Sequence, residues 1–168
     1  MSKAPLPTGR SRDTSAIICR PVRLGRSRER IVTIASVPTD TLTVRSKHKA
    51  DVIDVTDRVQ QVVRDSGVGT GLCHVYVAHT TAGVFINENA DPDVMTDVLT
   101  TLEGLVPWEN GYRHAEGNAA AHIKATLIGT SQTIPVRDGR LALGQWQGIY
   151  LAEFDGPRER RVQVTVLG

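Results

Sequence analysis

The stretch Ser131–Leu167, SQTIPVRDGRLALGQWQGIYLAEFDGPRERRVQVTVL, is a chain of strands broken by short turns. Ser131 to Val136 forms the first, an Asp138-Gly139 pair supplies a hairpin turn, and Leu141 to Leu143 continues beyond it. Gln147 to Phe154 is a longer strand, Asp155-Gly156-Pro157 turns the chain, and Arg161 to Leu167 alternates polar and apolar residues. Connections this short join antiparallel neighbours, because a parallel pair needs a crossover of a dozen residues or more.

Upstream, Thr41-Leu42-Thr43-Val44-Arg45 also alternates, as a half-buried strand does. Leu72 to His79 is a further strand, with Cys73, Val75, Val77 and His79 on one face and Leu72, His74, Tyr76 and Ala78 on the other. Val84-Phe85-Ile86 is a short one. Helices fall between. Asp54-Val55-Thr56 opens the first, with Val55, Val59, Val62 and Val63 on one face. Asp91 caps the second, Pro92 sits in its first turn, and Val94, Val98, Leu99, Leu102 and Leu105 form its expected buried stripe. The third runs from Ala119 to Leu127 and ends near Gly129. Helices in the middle and strands at the end predict an α+β fold on a largely antiparallel sheet, not a doubly wound one.

Charge is unevenly placed. Residues 1–30 carry eight Lys/Arg against Asp13 and Glu29, which leaves the remainder of a +2 chain negative. Prolines, glycines and serines without a period mark residues 1–38 as a basic, flexible extension or the product of an upstream start, and residues 39–168 as a single domain. The extension lacks the interleaved aromatics of a nucleic-acid arm. No apolar run reaches the length of a membrane span or a signal peptide, and two cysteines make no disulfide framework, so a cytoplasmic location is expected.

Several side chains are fit for chemistry. His79 stands where a strand meets a Gly-containing turn, a place for a metal ligand, phosphate donor or acid/base. His114 and His122 match no standard zinc spacing, but Asn118 and His122 are four apart and share a helix face. Asn87 and Glu88 offer the oxygens that a hard cation prefers. Glu153 and Asp155 share a strand face and suit metal coordination or general-base work, and Asp155 also suits a turn. Arg158 can grip a phosphate in two places, Ser131 follows a hydroxyl-rich Gly turn, and Trp146 can stack on a ring. No P-loop, dinucleotide fingerprint or G-x-S-x-G is present.

Together HTTAGVFINENADPDV (His79–Val94), YRHAEGNAAAHIKATLIGTS (Tyr112–Ser131) and LGQWQGIYLAEFDGPRERRVQV (Leu143–Val164) closely resemble the signature segments of the YjbQ-like proteins. These are small bacterial and archaeal proteins associated with a secondary thiamine-phosphate synthase activity. The resemblance implies an α+β, β-sandwich-like fold and a homotrimer. It further implies a site built from His79, Glu88, His114, Asn118, His122, Trp146, Glu153 and Arg158, near a subunit boundary. The reaction would join hydroxymethylpyrimidine pyrophosphate to thiazole phosphate, with Mg²⁺ held by Glu88 or Glu153 and Trp146 stacked on the pyrimidine. Two other readings stay open. One is a metal-dependent hydrolase or transferase acting on another phosphorylated metabolite, with zinc on His79, His114 and His122. The other is a non-catalytic trimeric ligand- or metal-binding module.

Overall fold

The computed structural model describes residues 37–168, so the basic stretch before Val37 lies outside the described residues. Eight strands and three helices follow: β1 (Thr39–Arg45), β2 (Asp51–Asp54), α1 (Thr56–Asp65), β3 (Thr70–Val77), β4 (Ala82–Glu88), α2 (Asp93–Leu105), α3 (Ala119–Ile128), β5 (Ser131–Arg137), β6 (Arg140–Leu141), β7 (Gln147–Glu153) and β8 (Glu159–Leu167). They form a five-stranded sheet, β1-β8-β3-β5-β6, and a three-stranded sheet, β2-β7-β4, in which every pairing is antiparallel. The fold is α+β, as the strand-rich end of the chain predicts. No described helix is long and apolar enough to cross a membrane.

The main core is filled from both sheets. Val75, Val77, Val162 and Val164 meet Val84, Ile149 and Leu151, and α1 adds Val59 and Val63. Each of these is effectively removed from water, and a buried valine or leucine contributes about 1.5–3 kcal/mol. The far face of the small sheet carries a second cluster, where Ala152 and Phe154 pack under Ala121 and Ala125 of α3. β7 therefore has apolar contacts on both faces, and all its residues but Gln147 are buried. Gly83 lets α3 approach β4: a Cβ there would lie 2.5 Å from the Gly129 carbonyl oxygen.

Four expectations need correction. β2 went unseen because Asp51 and Asp54 enclose only Val52 and Ile53, too short a run to show a period, as suits an edge strand. β3 ends at Val77, so His79 lies beyond the strand. β6 is Arg140–Leu141, because both residues of the Asp138-Gly139 turn adopt positive φ, 51° and 69°, and pairing resumes at once. The fourth concerns α2, which buries none of its residues; Leu105 is 70% exposed and only Leu99 and Leu102 lean on the second cluster. A polar tie holds it instead. The Lys124 ammonium, itself buried, pairs with Glu103 and holds that carboxyl below the usual range. Asp91 keeps its capping role from one position further out, accepting the Asp93 N–H at 2.9 Å while Pro92 takes the N-cap.

Candidate functional site

After Val77 the chain leaves the five-stranded sheet and enters the small one at Ala82, and Ala78–Thr81 spans the gap. That crossing forms one wall of a cleft of about 320 Å³, closed by His122 and Asn118 of the α3 start and by Asp155, Arg158 and Arg160 around the β7–β8 turn. Gly156 is required in that turn, since a Cβ would come within 2.3 Å of the His48 carbonyl oxygen and 2.7 Å of Ser46 Oγ.

The hydrogen bonds fix the histidine tautomers. The backbone N–H of Arg161 donates to His79 Nε2 at 2.9 Å, so Nε2 is a lone pair and the ring proton sits on Nδ1. Burial first, then the Arg160 and Arg161 charges, depress the pKa of His79, with Glu153 opposing them. His79 is thus a neutral ring with an Nδ1–H to offer. His122 is set the other way. Its Nδ1 faces the Thr80 carbonyl oxygen at 3.2 Å, and a carbonyl only accepts, so Nδ1 carries a proton, and in the neutral ring Nε2 is the acceptor. His114 packs edge-on against His122 with ring centroids 5.1 Å apart, and its Nε2 is 3.8 Å from a Glu116 carboxylate oxygen.

Asp155 organises the opposite wall. It accepts from Arg158 Nη2 at 2.7 Å and from Asn118 Nδ2 at 3.1 Å, while its carbonyl takes Arg158 Nε. The amide of Asn118 is thereby oriented, and its Oδ1 is the buried side-chain atom among the described residues that finds no partner. Arg158 is half-exposed, with N–H groups left over for an anion.

Glu153 has neither the metal-binding nor the general-base role expected of it. It is fully buried and takes both nitrogens of an Arg160 fork, each at 2.6 Å. Ser46 Oγ and the N–H groups of Phe154 and Asp155 use the rest of its acceptor capacity. It positions the turn and Arg160, and Arg160 in turn reaches Thr81 Oγ1 at 2.7 Å. No lone pair remains for a cation or for proton abstraction.

Of the sequence candidates, the fold brings together His79, His114, Asn118, His122 and Arg158. It does not bring Glu88 or Trp146 to them. In the β4–β7 register Ala82 faces Glu153 and Glu88 faces Gln147, so Glu88 and Trp146 lie at the far end of the strand pair, about 20 Å away at roughly 3.3 Å per residue. Trp146 is 60% exposed there. Ser131 starts β5 on its exposed side, outside the cleft lining.

These positions bear on a metal. His79 Nε2 is occupied, Glu153 is saturated and Glu88 is distant. Among the described residues no three His, Cys, Asp or Glu side chains are grouped to hold a cation. The donor set of one chain does not fit a resident metal. Arg160 and Thr81 were missed. The signal for Arg160 was its phase, since it alternates with buried Val162, Val164 and Val166, and a buried arginine calls for a buried carboxylate. A larger cleft of about 680 Å³ between α1 and the β5–β6 hairpin has no histidine. Its Gln60 spends both ends of its amide on Gly139 and Leu141 backbone, a structural clamp.

This arrangement sits on a known fold. The family described as UPF0047 protein YjbQ-like matches residues 40–168. The chain belongs to that family. It is similar to the UPF0047 protein YugU of Bacillus subtilis, 46% identical over 129 residues, which cover 76% of this chain and 98% of the relative. A UPF0047 protein of Methanothermobacter thermautotrophicus is 42% identical over 134 residues, 79% of this chain and 93% of its own. Among solved structures, an uncharacterized conserved YjbQ/UPF0047 protein from Clostridium acetobutylicum superimposes with a TM-score of 0.75 at 48% identity, over 76% of this chain and 99% of that one. A protein of unknown function from Sulfolobus solfataricus gives 0.76 at 38% identity, over 79% and 97%. The UPF0047 family has no established function, so chemistry has to come from the cleft.

Proposed function

We propose that the cleft binds the phosphoryl group of a small phosphorylated metabolite, within a cytoplasmic homotrimer. The observation that carries this is the His79 tautomer, which leaves an Nδ1–H to offer in a cleft that Arg158 also lines. Half-exposed Arg158 and the positive end of α3, whose first residue Ala119 follows Asn118, favour an anion between them. A neutral His79 donates without the desolvation cost of a buried charge.

In its specific form this is the thiamine-phosphate synthase reaction. The thiazole nitrogen attacks the methylene carbon of hydroxymethylpyrimidine pyrophosphate, the carbon–oxygen bond breaks, and pyrophosphate leaves with the electron pair. His79 Nδ1–H and Arg158 stabilise the charge that builds on the leaving group. His122 Nε2 accepts from the exocyclic amine of the pyrimidine and orients the ring. Mg²⁺ enters with the diphosphate substrate as its counter-ion.

The test incubates the purified full chain with both substrates and Mg²⁺ and measures thiamine phosphate and pyrophosphate together. We expect both products in equal amounts, and a loss of about ten- to hundredfold in His122→Ala with unchanged thermal unfolding. Phosphate binding without product would remove the synthase and leave the anion site. Absence of both phosphate binding and product would remove the whole reading.

A further inference from the structure

We propose that the polar cleft opens onto a ring-binding shelf built around Tyr76, and that the ligand is a phosphate or diphosphate ester of an aromatic alcohol, not of a sugar. This rests on the reading of the cleft as a phosphoryl site. A second cavity of about 520 Å³ adjoins the cleft, and the two share Ala78, His79, Thr80 and His122. Their remaining walls differ in kind. The polar cleft has Arg158, Arg160, Asp155 and Glu116. The neighbour has Tyr76, Val77, Ala125 and the methyl-bearing Thr126 and Thr130, with no carboxylate or guanidinium among them.

The local sequence explains the shelf. Where α3 passes the end of β3 it presents Ala125 and Thr126, side chains too small to fill the space. Tyr76 stands on the outward face of β3, 39% exposed, beside the exposed Ser131 across the β3–β5 pairing. An aromatic ring left half-bare next to a shallow apolar cavity is a stacking platform, with little side-chain freedom to lose on binding. A sugar in the same place would forgo stacking on the Tyr76 ring and would find hydroxyls there but no carboxylate or guanidinium. Trp146, the ring platform expected from the sequence, is at the far end of the β4–β7 pair.

The experiment titrates the full chain with inorganic phosphate, glycerol phosphate and benzyl phosphate by calorimetry. Benzyl phosphate is expected to bind about tenfold tighter than glycerol phosphate. Tyr76→Ala should abolish that preference and Tyr76→Phe should keep it, with inorganic phosphate bound equally by all three proteins. Thr126→Phe, on the exposed side of α3, should fill the shelf and abolish the preference without touching Tyr76. Equal affinities for the two esters, with phosphate binding intact, would overturn the shelf and leave the cleft. A tenfold preference that survives both Tyr76→Ala and Thr126→Phe would overturn it too. A wild-type chain that binds none of the three would overturn the cleft and the shelf together.

Discussion

The two ends of β7 are built from the same strand and do different work. At the Glu153 end Glu153, Arg160, Thr81 and Ser46 are all buried and bonded to one another in a sealed network. Half-exposed histidines stand on top of it. At the Gln147 end Tyr150 donates to the Glu88 carbonyl and Asn89 Oδ1, Asn89 donates on to Asp54, and the network is open to solvent at exposed Glu88, Asn89 and Asp54. The difference teaches that a rigid, charged floor accompanies the cleft and not the tryptophan. A site needs groups held at fixed angles, and only the Glu153 end supplies them.

The largest contrast should appear on breaking each network. Glu153→Gln leaves the Arg160 guanidinium buried beside a neutral amide, and removal of one member of a buried ion pair costs about 3–5 kcal/mol. Tyr150→Phe removes one hydrogen-bonding hydroxyl at the other end, about 1 kcal/mol. Urea unfolding of the two variants measures both. A Glu153→Gln loss no larger than that of Tyr150→Phe would erase the distinction between the ends.

The fold was largely open to sequence reading because its strands alternate cleanly and its hairpin turn has the residues that positive φ demands. α2 misled because its apolar spacing is helical, yet Lys124 and Glu103 hold it where a core would have. The site was legible by residue type and not by place. His79 and Glu88 belong to one continuous motif, but β4 runs between them and carries them to opposite ends of the strand. Glu153 and Arg160, seven apart, do the reverse, meeting across the β7–β8 turn. Glu153 reads as a working carboxylate because it shares a strand face with Asp155, while its burial against Arg160 and Ser46 comes from contacts that no local pattern reveals.

A smaller effect follows from the pKa of His79, depressed by burial and by Arg160 and Arg161. As pH falls through about 6.5 the unfolded chain takes up a proton at this ring before the folded chain does, so stability falls with it. Above that value the folded and unfolded rings are both neutral and the contribution is complete. His79→Asn keeps an acceptor for the Arg161 N–H and removes the titration. Its unfolding free energy should therefore change less between pH 7 and pH 5 than that of the wild type. Equal slopes would mean that Nε2 is not held as an acceptor, and the tautomer assignment would fall with it.

Trp146→Ala gives the smallest expected effect and the sharpest test of whether one chain contains the whole site. The ring is 60% exposed and makes no aromatic pair among the described residues, so stability should move by less than about 0.5 kcal/mol. Phosphate and benzyl phosphate affinities should not move either, since about 20 Å of strand separates Trp146 from His79 within a chain. Subunit mass should be read by light scattering alongside. If affinity drops while stability and assembly stay put, the tryptophan that matters comes from a neighbouring copy, and the two ends of β7 meet across a subunit boundary. The contrast between the ends would then be a division of labour: the Glu153 end holds the anion, and the partner's Trp146 end covers it.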